Sequence, residues 1–233
     1  MVKLNRSALK AWLSIVAVIC SQLIALAGIV FLTWVFPALA SYWQTPSGTF
    51  SVFVIGACVA LAFVILITRP KSVSEFLVRF KIQLSWSAIS YSVIALGGFF
   101  GCVGVLVARL KLTHFAEKYT LTKPFINEHG IEKYLLPVLM LTGPIYEEIL
   151  LRGYVYQRFR KDHGVRLSVI AVVILAIILH SEVIRASVWA FLLIFAVQAV
   201  LCLILEKTNN LSNCILFHCA YNGILIIAPK LGF

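Results

Sequence analysis

The feature that most constrains this 233-residue chain is a series of apolar runs near or beyond the length that crosses a bilayer. A hydrocarbon core takes roughly 20 apolar residues of α-helix to span. Runs of that order lie at about 11–36, 50–68, 84–108, 134–157, 167–184, 186–205 and 211–229. In lipid a segment must satisfy its own backbone N–H and C=O groups, so these runs predict helices. A transmembrane barrel would alternate apolar and polar residues, and these do not. Composition agrees: 61% of residues are hydrophobic and only 12% charged, half the charge of an ordinary soluble domain. The expected fold is all-α, a polytopic bundle of about seven spans, with the division between spans five and six near Ile184-Arg185-Ala186. The first run is too long for a signal-peptide core and lacks a clear cleavage site, which predicts a retained helix.

The net charge of +11 is carried by short loops beside the apolar runs, which fits topology and anionic headgroups better than nucleic acid. With the N-terminus inside, twelve of the 20 Lys and Arg residues fall on the inner side and seven on the outer, five of those in one long loop. The excess predicts an N-in, C-out chain. Between spans two and three, Val73, Phe76, Leu77, Phe80 and Leu84 recur at helical spacing beside Arg79 and Lys81, the pattern of a helix lying on the inner leaflet. A plain connecting loop is the other reading. The six cysteines lie in apolar segments without CxxC pairing, which predicts buried packing rather than disulfides or a zinc ribbon. No soluble domain or internal repeat is seen. Residues 1–133 read as N-terminal membrane helices with the connector, and 134–229 as the part carrying the polar motifs, within one membrane domain.

Ionisable residues inside a span are costly and mark functional sites by default. The fourth span holds Gly143-Pro144-Ile145-Tyr146-Glu147-Glu148-Ile149-Leu150-Leu151-Arg152, the fifth His180, and the seventh His218 and Asn222; Gln198 in the sixth is the weakest case. Glu148 and Arg152 are four apart on one helix face and predict an ion pair. Glu147 points about 100° away and lacks that partner. A carboxylate held by Arg is a poor base, so Glu147 is the expected proton acceptor and Glu148–Arg152 the brace. Pro144 is expected to break the helix and place Glu147 near a new helix start. A proline kink with a purely structural ion pair is the bland alternative. His218 and Asn222 project from one face toward a common point. Counted at about 1.5 Å per residue, Glu147 and His180 lie roughly 15–20 Å from the inner ends of their spans and His218 roughly 10 Å, so all three can meet in one cavity.

Glu147-Glu148-x-x-x-Arg152, a His late in the next span, and His218-x-x-x-Asn222 resemble the three motifs of the CAAX protease and bacteriocin-processing family of intramembrane endopeptidases, which includes the type II CAAX prenyl endopeptidases. The stretch GPIYEEILLRGYVYQRF carries most of the likeness, which covers about residues 134–229. One departure stands out: the family's middle motif usually has Phe four residues before its His, and here that residue is Ala176. The resemblance implies that Glu147 and His180 activate a water, that His218 and Asn222 stabilise the oxyanion, and that Glu148 and Arg152 support the site. It implies a membrane-anchored or lipidated peptide as substrate, with the bilayer as the other partner and no nucleic acid. In a bacterium the setting would be the inner or plasma membrane, and the task processing of, or immunity to, small peptides. Members of the family have been described both as metalloproteases and as metal-independent. Glu147, His180 and His218 could ligate zinc with a fourth position open, but there is no HExxH, and Asn222 suits an oxyanion donor better than a ligand. No cofactor is expected on this reading, with zinc left open. The rival classes are a proton-coupled transporter and a non-catalytic peptide-binding or immunity membrane protein.

Overall fold

The computed structural model describes residues 6–109, 132–180 and 188–227. In these the secondary structure is all helix: α1 Arg6–Val35, α2 Leu39–Tyr42, α3 Pro46–Thr68, α4 Val73–Arg79, α5 Trp86–Arg109, α6 Glu132–Glu148, a π-helical stretch Ile149–Tyr156, α7 Gln157–Leu179, α8 Val188–Thr208 and α9 Leu211–Ile227. Within the described residues, each predicted run falls mainly on a helix. The division near Ile184 and the long basic loop lie outside the described residues.

This is a multi-pass membrane protein. Among the described residues, five helical stretches are long and apolar enough to cross a bilayer: Ala8–Val35, Ser47–Thr68, Trp86–Val105, Met140–Leu179 and Phe191–Thr208. Their outer surfaces carry Trp12, Leu66, Val93 and Ile94, all more than half exposed; a water-soluble fold of this size would not leave such a coat uncovered. The 40 residues of Met140–Leu179 measure about 60 Å, twice a hydrocarbon core. They divide at Gly164, whose φ of 73° and ψ of 178° lie outside helical values and are open to glycine. Because lipid is as apolar as a core, helix association relies on close packing. Along α1 the small residues Ala11, Ser14, Ser21 and Ala25, with Val18 among them, are buried at three- and four-residue spacing. They form the stripe on which α3 and α7 pack. Helix α9 is central, against α5, α6 and α8.

Three expectations need correcting. The cysteines are free, but Cys58 and Cys102 are exposed rather than buried; on a lipid-facing surface an apolar thiol has no reason to turn inward. The connector is helical only over Val73–Arg79, so Leu84 lies beyond it. Ser72 caps its start by accepting from Glu75 N at 3.1 Å, as N-cap serines do. Phe80, which ends it, is not on an exposed face but buried beneath Gly153.

The third correction concerns Pro144, which does not break the helix: α6 runs through it to Glu148. A proline at this position leaves the Met140 carbonyl without its intrahelical donor, and Asn222 Nδ2 supplies one from α9 at 3.1 Å. The irregularity comes later, in the π-helical stretch, all eight residues of which are buried. Gly153 lies in it. A Cβ there would stand 2.6 Å from Phe80 Cδ1 and 3.2 Å from Leu211 Cδ2, and neither ring nor leucine has room to retreat. Gly153→Ala is expected to destabilise the protein by about 1–3 kcal/mol through overpacking. Thermal unfolding in detergent checks this, and an unchanged midpoint would mean that the contact is soft.

Candidate active site

The site grows from the junction of α6 with the π-helical stretch. Glu147 and Glu148 are the last α-helical residues, both buried, with Glu148 wholly so. They face different partners. Glu148 Oε1 accepts from Arg152 Nη1 at 2.9 Å, the ion pair that four-residue spacing predicted, with neither side chain exposed. The same oxygen accepts from His218 Nδ1 at 2.8 Å, a bond that the sequence reading did not anticipate. Arg152 continues the chain of contacts: Nη2 donates to the Gln198 carbonyl at 3.0 Å and to Gln198 Oε1 at 2.5 Å. Gln198, the weakest sequence candidate, therefore closes a buried network of Glu148, Arg152, His218 and itself. Its signal was there to be used, because a primary amide in a membrane span needs a partner.

Glu147 lies outside that network. His180 Nε2 is 3.9 Å from Glu147 Oε2, too far for a direct hydrogen bond and a separation that one bridging water can span. His180 ends α7, and its Nδ1 lies 2.9 Å from the Ala176 carbonyl. A carbonyl only accepts, so Nδ1 carries a proton, and Nε2 is the nitrogen turned toward Glu147. Ala176, where the motif departs from its usual Phe, is fully buried; its backbone, not its side chain, orients the histidine. Gly143, one turn before Glu147, keeps space beside the carboxylate: a Cβ there would lie 3.8 Å from Glu147 Oε1 and 3.1 Å from Phe53 Cζ. The Phe53 ring packs edge-on to Tyr146, centroids 5.2 Å apart.

His218 and Asn222 both face α6, but their hydrogen bonds do not converge. His218 is held by Glu148, and Asn222 by the carbonyl two turns away that Pro144 frees. Cys219, between them, donates to the Leu141 carbonyl at 3.2 Å. One N–H of the Asn222 amide is thus engaged, leaving its second N–H, while His218 is left its Nε2. Among the described residues, no three His, Cys, Asp or Glu groups are placed to share a metal ion. Of the set Glu147, His180 and His218, His218 has Nδ1 on Glu148 and presents Nε2 as its open nitrogen.

Three separate helices thus bring a buried acid–histidine set together within a helical membrane protein. Residues 131–224 match the family model of the type II CAAX prenyl endopeptidases, Rce1-like, and that segment holds every motif residue from Glu147 to Asn222. The family resemblance drawn from the motifs is matched there. No curated protein and no solved structure matches the chain.

Proposed function

We propose that this protein is a CAAX-type intramembrane endopeptidase that hydrolyses a peptide bond in a membrane-anchored or lipidated polypeptide by glutamate-activated water. The observation that carries the reading is the 3.9 Å approach of His180 Nε2 to Glu147 Oε2, with the His180 tautomer fixed from behind by Ala176. A water between the two gives its proton to Glu147 while hydrogen-bonding to His180 Nε2. Its oxygen forms the new bond to the substrate carbonyl carbon. Negative charge then develops on the carbonyl oxygen, where His218, as imidazolium through Nε2, and the second N–H of Asn222 donate. Collapse of the tetrahedral species breaks the C–N bond as Glu147 returns its proton to the leaving nitrogen. Glu148 orients the His218 ring as the carboxylate of a catalytic triad orients its histidine, and Arg152 holds Glu148.

On this reading residues 134–229 are the catalytic core and residues 1–133 the helices that wall it. The chain spans seven times with its N-terminus inside, in a bacterial inner or plasma membrane.

The test is kinetic. Wild-type protein in lipid nanodiscs is expected to cut a membrane-anchored peptide, with products read by mass spectrometry. Asn222→Ala is expected to lower kcat per folded molecule by about 100- to 1,000-fold and leave KM within a few-fold, the loss typical of an oxyanion donor. A purely structural Asn222, bonded only to the Met140 carbonyl, predicts lower stability with normal turnover in whatever remains folded. Normal turnover would remove Asn222 from the mechanism, and absence of cleavage by the wild type across membrane-anchored and lipidated peptides would remove the function.

A further inference from the structure

Three connections meet at one end of the bundle: the chain following α4, the start of α7 and the turn between α8 and α9. Between them lies an open cleft of about 420 Å³, lined in part by Lys81, Tyr156, Gln157, Arg160, Lys161 and Glu206. That volume is in the range of small-molecule sites. Three cations face one carboxylate, and the carboxylate is occupied: Glu206 Oε1 accepts from Arg160 Nε at 2.9 Å and from Tyr156 OH at 3.1 Å. Lys81 Nζ is held at 2.5 Å by Asn209 Oδ1, a neutral acceptor, and its charge also acts on Glu206, so the three cations share one carboxylate.

The backbone at Lys81 is the second observation. Helix α4 ends with Lys81 N donating to the Val78 carbonyl and Ile82 N to the Leu77 carbonyl, the paired closure whose left-handed position usually belongs to glycine. Here Lys81 adopts it, at φ 56°, and Asn209 across the cleft stands at φ 50°. Glycine at position 81 would relieve the backbone and remove one of the two ammonium groups of the cleft. Strained backbone of this kind gathers at binding sites. Leu211 N donates to the Lys81 carbonyl at 2.8 Å, so the residue is locked to the turn that carries Asn209.

The geometry points to a binding site for the phosphate of an anionic lipid headgroup, held by Lys81, Arg160 and Lys161. The cleft opens at the ends of membrane-spanning helices, at the level where headgroups lie. Leu205 and the Tyr156 ring give it apolar surface, which suits the glycerol of a lipid and not a free oxyanion. On the N-in reading this side holds twelve of the 20 Lys and Arg residues, which draw anionic lipid.

The test uses delipidated full-length protein in a non-ionic detergent, with binding read by native mass spectrometry and by the shift of the thermal midpoint. Phosphatidylglycerol is expected to bind at least about tenfold more tightly than phosphatidylcholine, a preference that falls as salt rises. The double variant Lys81→Gly, Lys161→Gln is expected to lose that preference. Because glycine suits the left-handed position, its lipid-free midpoint should stay at or above the wild-type value, which separates lost binding from lost folding. Equal binding of the two lipids by the wild type, or an undiminished preference in the double variant, would overturn the proposal. So would inorganic phosphate giving the same midpoint shift as phosphatidylglycerol at equal concentration, since the site would then serve a free anion.

Discussion

Glu147→Gln is expected to abolish peptide cleavage while the protein inserts and folds normally. The exchange keeps the size and shape of the side chain and removes only its ability to take a proton from water. General-base contributions of this kind are worth about 100- to 10,000-fold, and here the same group must also return the proton to the leaving nitrogen. Folding should be spared because Glu147 lies outside the buried network: its approach to His180, at 3.9 Å, is too long for a hydrogen bond. Yield, monodispersity and thermal midpoint in detergent should match the wild type, while product formation from a membrane-anchored peptide drops to background. Full activity in a normally folded Glu147→Gln protein would exclude the glutamate-activated mechanism.

Arg152→Ala should have the opposite signature. Glu148 is wholly buried and shares one oxygen between Arg152 and His218; without the guanidinium its charge loses the partner that offsets desolvation. The Gln198 side-chain oxygen and backbone carbonyl lose their donor in the same step. Breaking a buried pair from one side costs about 3–5 kcal/mol, a large share of the total stability of a typical domain. Little folded protein is therefore expected from Arg152→Ala, with a lowered midpoint in what survives. Arg152→Lys keeps the charge but not the planar fork that reaches Glu148 and Gln198 together, and should fall between. A normal yield and midpoint for Arg152→Ala would show that Glu148 is not charged in the folded protein.

The helices were legible in the sequence because each apolar run must be helical once its solvent is hydrocarbon. The Glu148–Arg152 pair was legible because it is local, set by spacing within one helix. What was not legible depends on long-range partners. Whether a proline breaks a membrane helix is decided by whether some other element can serve the carbonyl it frees. At Pro144 that element is Asn222, 82 residues from Met140. The bonds that hold His218 and Asn222 in place were hidden for a related reason. A four-residue spacing fixes the face they share, but acceptors on α6 decide where each side chain goes. Nothing in a single sequence marks Ile149–Tyr156 as π-helical, and Gly153 gave no sign that Phe80 from the connector would press against it.

The buried network has a consequence for how the chain is made. Glu148 and Arg152 can pair as soon as their own helix forms, which lowers the cost of moving them into lipid. Their other partners do not yet exist: Gln198 follows Arg152 by 46 residues and His218 follows Glu148 by 70. At synthesis rates of roughly 5–20 residues per second, the segment waits about 4–14 s before His218 has even been translated. During that interval a carboxylate and a guanidinium, compensated only by each other, face whatever lies beside the emerging helix. Retention at the insertion machinery, or at a chaperone offering polar contacts, would shelter them until the last two helices arrive, so assembly of this protein is governed by its C-terminal third.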